Sequence, residues 1–196
     1  MSNVKSILLV GVGGQGTILA SNVLAKGLVE AGYDVKMSEV HGMAQRGGSV
    51  TTQIRFGEKV YSPIIGKGEA DFLVSFELME ALRYIEFLRP SGKIIVNNQK
   101  INSAPIAAGR FEYPKGILEE LQSKADTTAF NATDIAKELG NEKAMNIVLF
   151  GALSKVLKLD NIDWEDIIKN LVKEKFIELN VNAFRAGRKI LEEAYA

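Results

Sequence analysis

Two glycine-rich segments near the amino terminus carry residues that could bind an anion. The first, Gly11-Val12-Gly13-Gly14-Gln15-Gly16, has the G-x-G-x-x-G spacing and is followed by Thr17. Glycine permits positive φ and close approach of backbone N–H groups, and a helix that begins after the turn adds free donors and a partial positive charge. We therefore consider this segment a candidate phosphate or carboxylate site, formed by Gly11, Gly13, Gly14, Gln15, Gly16 and Thr17. The alternative is a tight turn whose glycines serve only helix–sheet packing.

The second segment, His41-Gly42-Met43-Ala44-Gln45-Arg46-Gly47-Gly48-Ser49, holds the only histidine, three glycines and an arginine within nine residues. Arg46 could bind a carboxylate or phosphate through two hydrogen bonds. His41 could transfer a proton or bind a ligand, or be an ordinary loop histidine. The candidate binding residues of this second segment are His41, Gln45, Arg46, Gly47, Gly48 and Ser49. Glycines also let two backbones pack closely, so a role confined to a subunit interface stays open.

Acidic residues suggest two further sites. Glu39 stands at the end of the second predicted strand, 23 residues after Gly16, where a dinucleotide-binding fold carries its ribose-binding acid. This spacing leaves open a stand-alone NAD-binding dehydrogenase. A second group, Glu69, Asp71, Glu77 and Glu80, could hold a metal ion, but solvated carboxylates at a helix amino terminus are the favoured interpretation. Glu77 and Asn97 each follow a predicted strand, where ligands of α/β proteins gather.

Composition excludes several kinds of site. The chain has 196 residues, 24 basic and 24 acidic side chains, one histidine and no cysteine. Zero net charge argues against non-specific nucleic-acid binding. Without cysteine, the chain cannot form disulfides, a thiolate nucleophile or a cysteine-held iron–sulfur cluster. The apolar run at 7–10 is too short to span a membrane, so we expect a soluble cytoplasmic protein.

Hydrophobic periodicity predicts the elements that position these residues. The predicted strands cover 4–10, 33–38, 49–56, 71–76, 93–96 and 127–130. The predicted helices cover 17–31, 77–88, 116–123 and 132–139, with only helices after Glu142. Gly32 is the expected C-cap of the first helix, and Asp163 the expected N-cap of a later one. Residues 39–48 fit neither a strand nor a helix, and residues 90–92 are expected to end the helix predicted over 77–88. We expect one α/β domain over 1–196, a three-layer Rossmann-like, open and mostly parallel sheet with a helical carboxyl-terminal portion.

Six motifs in order resemble the gamma-type domain of the 2-oxoacid:ferredoxin oxidoreductases. Two of these motifs are the glycine-rich segments, of which the second extends to Val50. The other four motifs are Tyr61-Ser62-Pro63, Gly68-Glu69-Ala70-Asp71, Glu77-Leu78-Met79-Glu80-Ala81-Leu82-Arg83 and Val96-Asn97. The form of the second glycine-rich segment and the chain length are most similar to the indolepyruvate-type members. The resemblance covers most of the chain, although 102–141 adds little that is specific.

The resemblance implies a subunit that is inactive alone. The complex would oxidatively decarboxylate an arylpyruvate such as indolepyruvate with coenzyme A and ferredoxin, giving an arylacetyl-CoA and CO2. Thiamine diphosphate and the iron–sulfur clusters would belong to a larger alpha subunit, and the missing cysteines agree with that placement. This chain would bind no cofactor by itself and would have no catalytic or metal-ligating residues. A gamma subunit acting on another 2-oxoacid is the alternative within the family.

Overall fold

The computed structural model describes residues 4–41 and 47–194, and its centre is a six-stranded sheet. In chain order the strands are β1 (Lys5–Val12), β2 (Asp34–His41), β3 (Ser49–Gly57), β4 (Ala70–Ser75), β5 (Leu88–Asn97) and β6 (Asp126–Phe130). Across the sheet they lie in the order β2-β3-β1-β4-β5-β6. The strands β1, β4, β5 and β6 are mutually parallel, whereas β3 runs antiparallel to both β1 and β2. Five strands therefore end at one edge, which we call the carboxyl edge.

Helices cover both faces of the sheet. They are α1 (Thr17–Glu30), α2 (Leu78–Tyr84), α3 (Ala104–Ala107), α4 (Ile117–Lys124), α5 (Ala132–Glu138), α6 (Met145–Leu157), α7 (Trp164–Leu171) and α8 (Ile177–Ala194). Alternate residues of β1 point to opposite faces, as the period of a strand requires. Ile7 and Leu9 pack in the core with α1, α6, α7 and α8, whereas Leu8 and Val10 pack with α2 and α4. The predicted three-layer, mostly parallel architecture is confirmed.

Helix α6 is the most buried helix of the larger core. Ten of its thirteen residues are buried, because α6 packs between the sheet side and α8. Two glycines allow the helices to approach closely. A methyl group at Gly151 would overlap the Phe184 carbonyl, and one at Gly187 would overlap the Val148 carbonyl.

Three predicted boundaries are wrong, each because strand pairing extends beyond the local pattern. β2 continues through Glu39 to His41, which pairs with Val50, so these residues are not loop. β5 begins at Leu88 and includes 90–92, with an irregularity opposite the start of β4. The helix predicted over 77–88 therefore ends as α2 at Tyr84 and one 3₁₀ turn. Within the described part of the chain, no helix is long and apolar enough to cross a membrane.

Candidate functional site

The first glycine-rich segment connects β1 to α1 at the carboxyl edge. Gly11 and Val12 pair with β3, so the predicted turn is shorter than the motif and covers only 13–16. Gly14 and Gly16 have φ values of 101° and 79°, which glycine adopts without strain. Thr17 begins α1 with a buried side chain. No side chain caps this helix among the described residues, and its first turn contains no acidic residue.

The structure brings the two glycine-rich segments together. The Gly13 N–H donates a 2.8 Å hydrogen bond to the Gly48 carbonyl, and the Gly47 N–H lies 3.4 Å from the Gly13 carbonyl. Next to this contact is an open pocket of about 370 Å³, lined by the turn, the start of α1 and the ends of β2 and β3. A Cβ atom on Gly14 would meet no atom of the described residues within 4 Å, and Gly14 is exposed, so the backbone there is accessible.

The remaining candidates of the second segment differ in position. His41 is exposed at the end of β2 and lines the pocket. Gln45 and Arg46 lie outside the described residues. Ser49 begins β3, and its hydroxyl donates a 2.5 Å hydrogen bond to Glu80 Oε2. The Ser49 hydroxyl is therefore already engaged by a residue of this chain.

Gln15 joins the ends of two neighbouring strands rather than leaving its amide free. Its Oε1 accepts from the Val12 N–H at 2.7 Å, and its Nε2 donates to the Phe76 carbonyl at 2.8 Å. The connections from β1 and β4 diverge at this point of the sheet, where open α/β sheets commonly bind ligands. Gln15 thus attaches the turn to the ends of β1 and β4.

A polar cluster that sequence reasoning missed continues along the carboxyl edge. The Asn97 amide, fully buried, donates to the Phe76 carbonyl, to Gln99 Oε1 at 3.1 Å and to Thr133 Oγ1 at 3.0 Å. The Thr133 hydroxyl also donates to Gln99 Oε1 at 2.9 Å. The position of Asn97 after a strand makes it a candidate, but nothing in the local sequence identifies Gln99 or Thr133 as its partners.

Three of the four acidic residues expected to be solvated are buried. Asp71 forms a 2.6 Å ion pair with Arg89, while Glu77 and Glu80 are 0% and 3% exposed; only Glu69 is exposed. The expectation of a solvated cluster is wrong because hydrogen-bond donors from distant segments compensate these carboxylates. The helix-terminus role is correct for Glu77, which caps α2 by accepting from the Glu80 N–H at 2.9 Å. The described residues contain no cluster of three or more acidic or histidine side chains suited to a metal ion.

Tyr113 is a proton donor within this buried region. Its hydroxyl donates to Glu77 Oε1 at 2.5 Å and accepts from the Met79 N–H at 3.0 Å. Burial, together with the hydrogen bond to the Glu77 carboxylate, raises the pKa of Tyr113 far above its ordinary value. The Tyr113 hydroxyl therefore serves as a hydrogen-bond donor to the Glu77 carboxylate.

Glu39 lines the same pocket as the first glycine-rich turn, but the strand that carries it is not placed as in a dinucleotide-binding fold. In a dinucleotide-binding fold the ribose-binding acid lies at the end of the strand next to β1. Here β3 lies between β1 and β2, so β1 and β2 are about 10 Å apart. The Glu39 carboxylate instead accepts a 3.2 Å hydrogen bond from the buried Ser21 hydroxyl. Strand order thus weighs against a dinucleotide site.

Comparisons with known proteins agree with this arrangement. The model of the family described as pyruvate ferredoxin/flavodoxin oxidoreductase matches residues 6–190. Indolepyruvate oxidoreductase subunit IorB from Thermococcus kodakarensis is 40% identical, and the one from Pyrococcus horikoshii is 38% identical, each over 96% of both chains. Among solved structures, the keto/oxoacid ferredoxin oxidoreductase gamma subunit from Geobacter sulfurreducens has a TM-score of 0.71 and 25% identity over 96% of this chain and 99% of that one. The resemblance seen in the motifs is confirmed: the chain belongs, as an oxidoreductase subunit, to the pyruvate ferredoxin/flavodoxin oxidoreductase family.

Proposed function

We propose that the chain is the small, beta-type subunit of a complex that converts an arylpyruvate such as indolepyruvate, coenzyme A and oxidised ferredoxin to an arylacetyl-CoA, CO2 and reduced ferredoxin. Near full-length similarity to subunits named for indolepyruvate supports this choice over other 2-oxoacids. The chain acts as one domain in the cytoplasm, paired with a larger alpha subunit through which ferredoxin is reduced.

The two glycine-rich segments form the part of this subunit that meets the anionic substrate groups. The hydrogen bond from Gly13 to Gly48 carries this proposal, because it gathers both segments beside one open pocket. The N–H groups of Gly13 and Gln15 already donate to carbonyls of this chain, so the start of α1, which no described side chain caps, is the feature that favours a negatively charged group there. Gln45 and Arg46 belong to the same segment, and the Arg46 guanidinium supplies the bidentate donor for a carboxylate or phosphate.

The redox chemistry belongs to the partner. A cysteine-ligated iron–sulfur cluster does not fit a chain without cysteine. The clusters are therefore assigned to the alpha subunit. Thiamine diphosphate is assigned there as the family resemblance implies, and coenzyme A is a co-substrate. The role of this chain is to bind and orient substrate.

Co-expression with its alpha subunit tests the assignment. The purified complex should reduce an electron acceptor only with both indolepyruvate and coenzyme A, and should prefer indolepyruvate to pyruvate or 2-oxoglutarate. A chain that purifies as a stable monomer and associates with no alpha subunit would refute the subunit proposal. Preference for another 2-oxoacid would leave the subunit role standing and reject the arylpyruvate.

Arg46→Ala tests the role of the segments. Loss of a charge-assisted bidentate contact should raise the apparent KM for coenzyme A or indolepyruvate by roughly 10- to 100-fold. Lys26→Ala, in the last turns of α1 and away from the carboxyl edge, is the control and should leave both constants unchanged. If Arg46→Ala is silent while Gly48→Val prevents association, the segments serve only the interface.

A further inference from the structure

The motif from Glu77 to Arg83 has a structural role that substrate binding does not explain. Two of its side chains, Glu77 and Glu80, are nearly inaccessible to solvent in the first turn of α2. A buried carboxylate is costly unless donors surround it, so the donors show what each carboxylate holds in place.

Glu80 contacts the end of the second glycine-rich segment. Its Oε2 accepts from the Ser49 hydroxyl at 2.5 Å, and its Oε1 accepts from Arg83 Nε at 3.1 Å. Ser49 directly follows Gly48, whose carbonyl accepts from the Gly13 N–H. An unbroken path of short contacts thus joins Glu80 to the first glycine-rich turn.

Glu77 contacts a second segment at the same edge. Its Oε1 accepts from the Ile101 N–H at 3.1 Å and from the Tyr113 hydroxyl at 2.5 Å. The Leu78 N–H adds a 2.9 Å hydrogen bond to the Gln99 carbonyl. The first turn of α2 therefore holds both the start of β3 and the segment 99–113.

We propose that Glu80 is a positioning residue that holds Ser49 and thereby keeps Gly47 and Gly48 paired with Gly13. Its effect on turnover rests on the proposed function, whereas its effect on the Gly13–Gly48 contact does not. Glu77, one helical turn earlier, fixes α2 itself, because its carboxylate caps the helix and binds the 99–113 segment.

Amide hydrogen exchange of Gly13, measured by NMR on the full chain, tests the holding role directly. Glu80→Ala and Ser49→Ala should each speed exchange of the Gly13 N–H by about tenfold, since losing one hydrogen bond favours local opening by roughly that factor. Glu80→Gln should stay closer to the original rate, because its amide oxygen still accepts from Ser49. Amides of α6 serve as the internal reference for global stability.

The control is Glu120→Ala, which removes a half-exposed carboxylate paired with Lys124 on α4. It should leave Gly13 exchange unchanged. Unchanged exchange in Ser49→Ala, the mildest variant, would overturn the proposal even if Glu80→Ala fails to fold. Equal acceleration of the Gly13 and α6 amides would overturn it too, because it would indicate global destabilisation.

Kinetics of the assembled complex separate this inference from the proposed function. Ser49→Ala and Glu80→Ala should each raise the apparent KM for coenzyme A or indolepyruvate about threefold or more, as expected for one lost hydrogen bond, with a smaller change in kcat. The KM of Glu80→Gln should lie closer to that of the original chain. Faster Gly13 exchange in Ser49→Ala would leave the holding role intact even if the kinetic constants do not change. Unaltered KM and kcat in both Ser49→Ala and Arg46→Ala would reject the substrate-binding role of the segments.

Discussion

The side-chain amide of Asn146 donates a 3.0 Å hydrogen bond to the carbonyl oxygen of Gly16, 130 residues earlier in the chain. Asn146 is buried in the first turn of α6, and its own Oδ1 accepts from the Ile147 N–H at 2.8 Å. The contact joins the end of the glycine-rich turn to the most buried helix, so the conformation of the turn depends on packing of the second half of the chain.

Asn146→Ala should lower the free energy of unfolding by about 1–3 kcal/mol, because it removes a buried hydrogen bond and leaves space at the turn. Urea unfolding followed by circular dichroism measures the loss. Asn170→Ala is the matched control: its amide bonds to Asp166 on an exposed face of α7, and the cost should stay within about 0.5 kcal/mol. Equal losses in the two variants would contradict the importance of the Gly16 contact.

Gly16→Ala should be more destabilising than Gly32→Ala. Both glycines have positive φ, which costs alanine about 1–2 kcal/mol, but only at Gly16 would the methyl overlap a side chain, that of Asn146. We expect an additional loss of about 1–3 kcal/mol at Gly16. Thermal unfolding of Gly16→Ala, of Gly32→Ala and of the double variant Gly16→Ala/Asn146→Ala measures this additional loss. Strictly additive losses in the double variant would exclude the overlap, since contacting residues couple.

Asp163→Ala should destabilise the chain by about 1 kcal/mol, because Asp163 Oδ1 accepts from the Asp166 N–H at 3.0 Å and caps α7. Asp163→Asn retains an accepting oxygen and should cost only a few tenths of that amount. Chemical denaturation distinguishes the two variants. A loss of the same size for both would mean that charge, rather than capping, is what matters.

The ion pair between Glu165 and Arg185 should give a stability increment that disappears in acid. The hydrogen bond from Arg185 and its positive charge hold the pKa of Glu165 below its usual value of 4.5. The pair therefore stabilises the folded state fully above that pH, and the contribution falls as pH drops through the lowered folded-state pKa. The difference in unfolding free energy between the original chain and Arg185→Ala should be constant near neutrality and shrink as the pH falls below the usual glutamate pKa of 4.5. A difference independent of pH would contradict it.

Gly187→Ala should cost about 1–3 kcal/mol or more, because the added methyl would press against the Val148 carbonyl and separate α6 from α8. Lys189→Ala, two residues later and exposed, should be nearly neutral. Differential scanning calorimetry compares them. Similar melting temperatures for the two variants would show that the helices can move apart freely.

Local patterns predicted the elements whose determinants are themselves local. The β1–turn–α1 unit followed from an apolar run, positive-φ glycines and helical periodicity, and Gly32 and Asp163 end and begin helices where expected. Boundaries were wrong where a neighbouring strand decides them. Glu39 reads as loop from its glycine-rich surroundings, yet pairing with Thr52 keeps it in β2.

The candidate site was only partly predictable, because its side chains are held by residues distant in sequence. Spacing located both glycine-rich segments, but their contact through Gly13 and Gly48 depends on β3 pairing beside β1. The burial of Glu77 depends on donors at Ile101 and Tyr113, 24 and 36 residues away. No rule based on local charge could distinguish such a carboxylate from a solvated one.

The burial of α6 on nearly all sides has a consequence for synthesis of the chain. Its apolar surface is complete when residue 157 has been made, whereas the helix that covers one side of it, α8, ends at 194. During translation this surface remains uncovered for some forty residues, and the Gly16 turn lacks its partner until Asn146 itself has been made. We expect chains truncated before α8 to aggregate, so that nascent chains depend on chaperones until α8 has left the ribosome.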